Sequence, residues 1–350
     1  MIKKINIIGS HGLYASYGGW DQLVINLVEL KSQNILYRIF NPKDTPKVPT
    51  DEDVLITKLP LAGSGVQGLI FDCLSLSLSL KADTVIMLGI KAIPFALIIK
   101  IIKPRLNIVV NIGGIEWERP QFNFFLKLYL KFCFLLTKFI ASKIIIDNEY
   151  YKTLFKEKAL SKLKVIAYGG TIDHSLKITE LVHEFPFLDS DYFLSISRSI
   201  ADNKLNELCN VFSKLQNKKL VLISNFSNSS YGIRVFEEFK HHENIHLIDG
   251  LYDKRKLDLI RRSCKAYIHT HTLCGSAPSL IEMIACRSPI YSIDVIQNKF
   301  TLENEGIFFS DFDHLEEVLH QEIIPYAPTE ILVDKYQWTN VVKEYEMVSM

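Results

Sequence analysis

Four absences narrow the sequence before any motif is read. There is no Cys-x-x-Cys, and the six cysteines (Cys73, Cys133, Cys209, Cys264, Cys274 and Cys286) are scattered through 350 residues. Single scattered cysteines fit buried free thiols in a reducing compartment better than disulfides or a zinc site, so the expected location is cytoplasmic. Net charge is nearly absent, +1 at pH 7, which argues against a nucleic-acid binder. No secretory leader pattern opens the chain, because Lys3 and Lys4 run straight into a short strand pattern, Ile5 to Ile8, and then glycine. A dinucleotide fingerprint is missing too. Gly-x-Gly-x-x-Gly does not follow the first strand pattern, and the second ends on Asn41 where a nicotinamide enzyme carries an acid. A nicotinamide-dependent dehydrogenase is disfavoured.

What remains is rich in apolar residues, 48% of the chain, with room for two domains of ordinary size. Short β-rich runs alternate with helical patterns along the whole length. Runs such as Asn107-Ile-Val-Val-Asn111 are apolar without alternation, as expected of parallel strands covered on both faces. The pattern predicts α/β architecture: two Rossmann-like doubly wound domains facing a central cleft. The expected division is 1–175 for the first domain, 176–335 for the second and 336–350 for a last helix with no strand after it, able to pack back on the first domain. The join is expected in the irregular stretch 172–190, which carries Pro186.

Residues 267–282, Tyr-Ile-His-Thr-His-Thr-Leu-Cys-Gly-Ser-Ala-Pro-Ser-Leu-Ile-Glu, carry the most chemistry. Tyr267 to His269 read as the end of a buried strand; Gly275, Ser276 and Pro278 then turn the chain into a helix, with proline where no amide hydrogen is missed. Unpaired amides near Ser279 and Leu280, with the helix dipole behind them, make an expected anion site. Glu282, one turn in, is placed to grip the vicinal hydroxyls of a ribose, and the two together describe a nucleoside diphosphate. The alternative is that Glu282 only complements the dipole. His269 and His271 are candidates for hydrogen bonding in the same donor pocket.

At the first strand end, Gly18 and Gly19 allow close backbone approach to a phosphate or sugar just before the next helix, or simply make a tight turn. Asp21 is either a polar group near the acceptor or an early-helix acid. Glu116, Trp117, Glu118 and Arg119 follow the strand 107–111 and its Gly113-Gly114 turn; they read as site residues or as a solvated loop. The two Asp-x-Asp pairs, Asp189-Ser-Asp191 and Asp311-Phe-Asp313, are poorly placed for a metal and read as solvated turns. No metal and no cofactor are expected.

Phe122 to Ser142 is apolar and aromatic, but Lys127, Lys131 and Lys138 interrupt it, which a bilayer-spanning helix tolerates poorly. Between residues 84 and 143 nine Lys or Arg stand against two acids, a local excess of +7 in a chain of +1. That asymmetry fits docking on an anionic membrane surface; a core helix with a solvated lysine edge fits as well.

Several blocks occur together in order: Ile-Gly-Ser-His-Gly (8–12) and Tyr-Gly-Gly-Trp-Asp (17–21), Asn-Ile-Gly-Gly-Ile-Glu-Trp-Glu-Arg (111–119), Ala-Tyr-Gly-Gly (167–170), the 267–282 segment, and Tyr336-x-Trp338 with Tyr345-Glu346. Together they resemble the rhamnosyltransferase-like branch of glycosyltransferase family 4, enzymes of bacterial capsule and O-antigen polysaccharide biosynthesis. The resemblance spans almost the whole chain. It implies a GT-B fold and a retaining, metal-independent hexosyltransferase. The implied donor is a dTDP- or UDP-sugar, best dTDP-L-rhamnose, and the implied acceptor is a lipid-linked saccharide. The enzyme would then be cytoplasmic, peripherally associated with the inner face of the plasma membrane. By the same resemblance Glu282 is the ribose-binding glutamate, Arg198 binds the donor diphosphate and Lys204 stands one place beyond the expected lysine, at Asn203. The implied catalytic set is Arg198, Glu282, Asp21 and Glu116. In a retaining transfer of this type a leaving phosphate oxygen takes the acceptor proton, so no enzyme nucleophile is required.

Departures cluster at these positions. Cys274 replaces the first glutamate of the family pair, and His11, Trp20 and Asp21 replace arginine, phenylalanine and glutamate. A sugar-nucleotide epimerase of GT-B architecture and a non-catalytic nucleotide-sugar-binding protein are the rival readings.

Overall fold

The computed structural model describes residues 2–15, 18–45, 54–118 and 122–350; Tyr17 and Arg119 of the sequence motifs lie outside them. The chain runs β1 (Lys3–Ile8), α1 (Gly19–Glu29), β2 (Ile35–Asn41), β3 (Val54–Lys58), α2 (Gly65–Ser77), β4 (Thr84–Leu88), α3 (Ile93–Ile102), β5 (Asn107–Asn111), α4 (Phe124–Ile140), β6 (Lys143–Ile146), α5 (Glu157–Leu160) and β7 (Leu163–Val165). It continues with α6 (Ile178–Leu181), β8 (Phe193–Ile196), α7 (Leu205–Lys214), β9 (Leu220–Ser224), α8 (Ser230–Phe239), β10 (Ile245–Asp249), α9 (Lys254–Ser263) and β11 (Ala266–His269). The remaining elements are α10 (Pro278–Ala285), β12 (Ile290–Ile293), α11 (Ile296–Leu302), β13 (Ile307–Phe309), α12 (Phe312–His320), α13 (Glu330–Lys335) and α14 (Trp338–Ser349).

Two compact units result: Met1–Tyr168 together with Trp338–Met350, and Gly169–Gln337. The division falls at Tyr168–Gly169, so the irregular 172–190 stretch belongs to the second unit. The first unit holds a seven-stranded sheet in the order β3-β2-β1-β4-β5-β6-β7; the second holds six strands in the order β10-β9-β8-β11-β12-β13. Every strand pair is parallel, for example Val85 beside Ile108 and Leu194 beside Tyr267.

The apolar runs have a direct cause in the first unit. Successive side chains point to opposite faces of a strand, and both faces are packed. Val85, Met87, Ile108, Val110, Ile144 and Ile146 join one core, with side chains from α2, α3 and α4. Their neighbours Ile86, Leu88, Val109 and Ile145 join the other, with α1 and α14. The last helix is fixed by polar contacts. Asn111 Nδ2 donates to Tyr345 Oη at 2.6 Å, Thr84 Oγ1 donates to the Ser349 carbonyl at 2.7 Å, and Ser32 donates twice to the Glu346 carboxylate.

In each sheet the order reverses direction once, between β1 and β4 and between β8 and β11. At such switch points two neighbouring connections leave on opposite faces, opening a crevice at the carboxyl ends of the strands. The second unit's candidates follow β8 and β11; the first unit's follow β1 and, one strand beyond β4, β5.

Candidate functional site

In the second unit the connections after β8 and β11 are sewn together. Asn203 Nδ2 donates to the Arg198 carbonyl at 2.8 Å. Thr270 Oγ1 donates to the Asn203 carbonyl at 2.5 Å and Thr272 Oγ1 to the Asp202 carbonyl at 3.1 Å. Asn298, from α11, holds the His271 carbonyl at 3.1 Å. The loop bearing Arg198 and Lys204 is thereby fixed against the segment bearing His269, His271, Gly275 and Ser276. Arg198 is exposed. Lys204 is left-handed, at φ 57°, and its ammonium turns to Glu207 at 3.2 Å, which draws it toward its own helix.

His269 and His271 are both buried, with ring centroids 4.4 Å apart. Strand alternation sends Tyr267 and His269 to one face, opposite Ala266 and Ile268, which join the core beneath. Both ring nitrogens of His269 and Nε2 of His271 lack a protein partner among the described residues; Nδ1 of His271 lies 3.5 Å from Cys274 Sγ. Burial disfavours the imidazolium. It drives His269 well below the ordinary histidine value, with His271 adding to the effect, and pushes His271 down to about 3, helped by the charge of Arg198. Both rings are therefore neutral near pH 7, each presenting one donor and one acceptor.

The helix start departs from the sequence expectation. Leu280 N donates to the Ala277 carbonyl at 3.0 Å, and Ile281 N shares that carbonyl at 3.1 Å. The first turn tightens and uses the Leu280 amide itself, so that amide is not free for an anion. The Leu280 side chain is buried. Glu282 also differs from a bare ribose ligand. Its Oε2 accepts from Arg261 Nη2, and Arg261 Nη1 holds Asp258 at 2.7 Å. Asp258 in turn accepts from Lys254 and from the Asp173 amide. Burial works against the Arg261 charge, but the Glu282 and Asp258 carboxylates overcome it and raise its pKa. Glu282 is thus locked in direction and keeps about a fifth of its side chain exposed, 21%.

Arg261 was not legible as a site residue. In Lys254-Arg-Lys-Leu-Asp-Leu-Ile-Arg-Arg it looks like one of several solvated helix cations. The available signal was its spacing, Asp258 and Arg261 at i, i+3 beside apolar Leu259 and Ile260.

In the first unit the β1–α1 connection is held by Asp21. Its buried carboxylate accepts the His11 amide at 2.9 Å and the Gly18 amide at 3.1 Å, with His11 Nδ1 at 3.4 Å. These contacts are those of a helix-start anchor. Asn41, where a dinucleotide enzyme has its acid, accepts the Leu13 amide at 3.0 Å. Gly18 is extended, at φ −166°, and an added Cβ there would meet no atom of the described residues within 4 Å; the backbone does not require glycine there. Gly19 begins α1. By contrast Gly113, at φ +63°, lies against Trp20, whose ring an added Cβ would meet at 2.9 Å. Trp20 therefore links α1 to the β5 connection. There Glu116 is half-buried, and Trp117 leaves the surface to pack on Phe134 at 4.6 Å. The site residues of this unit are brought together around β1 and β5, but the polar ones mainly organise loops.

Lys138 of the lysine line is engaged too, its ammonium donating to the Leu154 carbonyl at 3.1 Å and lying 4.3 Å from the Phe134 ring centroid. Among the described residues no group of three or more His, Cys, Asp or Glu is arranged to hold a metal, and no helix is long and apolar enough to cross a membrane.

A family model described as a domain of unknown function, DUF1972, matches residues 2–171, just under half the chain. No curated protein matches the sequence. Solved structures do match in fold. Sucrose-phosphate synthase from Thermosynechococcus elongatus has a TM-score of 0.73 at 14% identity, covering 99% of this chain and 95% of that one. Anabaena HepE in complex with UDP and glucose has a TM-score of 0.71 at 14% identity, covering 99% of both chains. A trehalose-phosphate synthase from Burkholderia xenovorans in complex with glucose-6-phosphate has 0.73 at 9% identity, covering 99% and 100%. These are GT-B glycosyltransferases, and the expected α/β class with two doubly wound parallel sheets holds.

Proposed function

We propose that the protein is a retaining, metal-independent glycosyltransferase that moves a sugar from a nucleotide donor, best dTDP-L-rhamnose, to a lipid-linked saccharide in cell-surface polysaccharide synthesis. The second unit takes the donor and the first the acceptor. The observation that carries the reading is the stitched β8/β11 switch point. It joins an exposed arginine, two neutral histidines with unused ring nitrogens, and a carboxylate fixed one turn into α10. Each part suits one piece of a sugar nucleotide. Arg198 and the positive end of α10 suit the diphosphate, whose charge grows as the bond to the sugar breaks. Glu282 suits ribose hydroxyls, and Arg261 prevents it from turning away. Neutral imidazoles suit hydroxyls or a base, to which they both donate and accept. Lys204 enters only by leaving Glu207.

Complexes of structural neighbours with UDP, and with UDP and glucose, add support for a nucleotide-sugar donor. A lipid-linked acceptor places the work at the inner face of the plasma membrane, and the +7 excess of residues 84–143 supports that location.

The test is a thermal-shift series with dTDP-, UDP- and GDP-sugars, followed by incubation with the stabilising donor and a lipid-linked acceptor. A ligand that binds only the folded state raises its stability. Stabilisation with transfer is the expected result. Epimerisation without acceptor, or stabilisation without turnover, overturns the reading in favour of an epimerase or of a binding protein, which Cys274 in place of the family glutamate would favour.

A further inference from the structure

The outward faces of three consecutive helices in the first unit are apolar. On α4, Phe124, Leu128, Phe132, Leu135 and Phe139 recur at i, i+4, i+8, i+11 and i+15 and are all exposed, Phe139 to 81%. The opposite side of the same helix, with Leu130, Cys133 and Phe134, packs in the core. On α3, Leu97, Ile98, Ile101 and Ile102 face outward, Ile101 at 70%. On α2, Val66, Ile70 and Leu74 form an exposed i, i+4, i+8 stripe, which Leu78 extends past the helix end. Because α2 packs beside α3 and α3 beside α4, the three stripes lie on one side of the seven-stranded sheet. Surface helices of soluble domains are normally polar outward, and apolar patches of this kind mark interaction sites.

Charge identifies the occupant. Lys127 and Lys131 lie along one edge of the α4 stripe, within about 40° of each other at 3.6 residues per turn, and neither has an acidic partner among the described residues. Lys100 and Lys103, at the end of α3, are half-buried and donate to the Leu106, Leu80 and Ala82 carbonyls, so the free cations of this face are those of α4. The three helices carry a single acid, Asp72, which is buried and paired with Lys91 at 3.1 Å. A second copy of this chain across a two-fold axis would oppose the same patch to itself, setting a cationic rim against a cationic rim. An anionic lipid surface offers the complementary charge together with an apolar interior.

We propose that α2, α3 and α4 form a membrane-docking platform whose apolar side chains enter the headgroup–acyl boundary, with Lys127 and Lys131 on the anionic headgroups. This rests on the lipid-linked acceptor reading for its purpose, but the contact itself requires neither donor nor acceptor. It differs from electrostatic adsorption by lysines alone, because insertion is not screened by salt.

The test is co-sedimentation with vesicles of phosphatidylglycerol and phosphatidylethanolamine, without nucleotide or acceptor. Wild type should bind, and a measurable part should stay bound in about 1 M salt, where the screening length is about 3 Å. The triple variant Phe124→Glu, Ile101→Glu, Phe139→Glu changes exposed positions of the face only; binding should fall at least about 10-fold, since each lost apolar side chain weakens partition by roughly that factor. Circular dichroism and sugar-nucleotide thermal shifts should be unchanged, which separates this proposal from the donor-site reading. Complete release of wild type by salt overturns insertion. Undiminished binding of the folded triple variant overturns the surface. A wild type that ignores vesicles but sediments as a dimer, dissociated by the triple variant, assigns the face to a second copy and overturns the proposal.

Discussion

Replacing Glu282 with alanine should cost stability as well as activity. The Arg261 guanidinium is nearly fully buried and divides its charge between Asp258, at 2.7 Å, and Glu282. Removing one partner of a fully buried pair costs about 3–5 kcal/mol. Here Arg261 keeps Asp258, and Glu282 keeps some exposure to water, so the loss should resemble that of one charge-assisted hydrogen bond, about 1–3 kcal/mol. For a unit of this size that lowers the melting temperature by roughly 2–12 °C. Glu282→Gln keeps the shape and an acceptor and should lose about half as much. Urea unfolding of wild type, Glu282→Gln, Arg261→Met and the double variant gives the coupling between the two groups, expected at about 0.5–3 kcal/mol. Transfer, measured on folded protein, should fall at least ~10-fold in Glu282→Ala, because the ribose contact is lost with the carboxylate. A coupling below about 0.3 kcal/mol would show that Arg261 does not hold Glu282. Wild-type turnover in folded Glu282→Ala would remove Glu282 from the donor site.

Arg198→Ala changes an exposed side chain and should leave stability within about 0.5 kcal/mol, yet lower transfer at least ~10-fold; wild-type turnover with that donor would exclude it from diphosphate binding. His271, ordinary in the unfolded chain at 6.5 but near 3 when folded, is protonated first in the unfolded state. It therefore favours unfolding as pH falls through that window, by about 1.4 kcal/mol per pH unit. His271→Leu should flatten the acid limb of a urea-midpoint-versus-pH curve by a corresponding amount, and an unchanged limb would mean that the ring is not held neutral. Dialysis against a chelator should leave transfer nearly unchanged, and activity lost and then restored by magnesium or manganese would contradict the metal-independent reading.

The strands were legible because parallel, doubly covered strands leave a strong signal. Val109 faces one core while Ile108 and Val110 face the other, so all three must be apolar. The strand Asn107–Asn111 falls where its apolar run placed it. Side-chain partners were less legible, since they depend on which element comes to lie alongside. Asp21 reads the same in sequence whether it meets an acceptor or its own loop; only the fold brings the His11 and Gly18 amides onto its carboxylate. Leu280 was misjudged for a local reason. An N-cap without a side-chain acceptor, Ala277, lets the first turn tighten onto its carbonyl.

The helix faces show the same limit with more consequence. A run such as Phe124–Ile140 is apolar on both its core side and its outer side, and periodicity separates the faces of a helix only when they differ in polarity. Composition therefore shows an apolar segment with lysines and does not separate its two faces. The structure assigns Lys138 to a carbonyl and two aromatic rings, leaving fewer cations for headgroups than the sequence count implied. It also reveals apolar outer faces on α2 and α3, which carry no line of lysines. If the protein meets a membrane through this unit, the apolar side chains must therefore supply most of the binding and the remaining lysines its preference for anionic lipid. Those two contributions respond oppositely to salt, so the vesicle experiment can tell them apart.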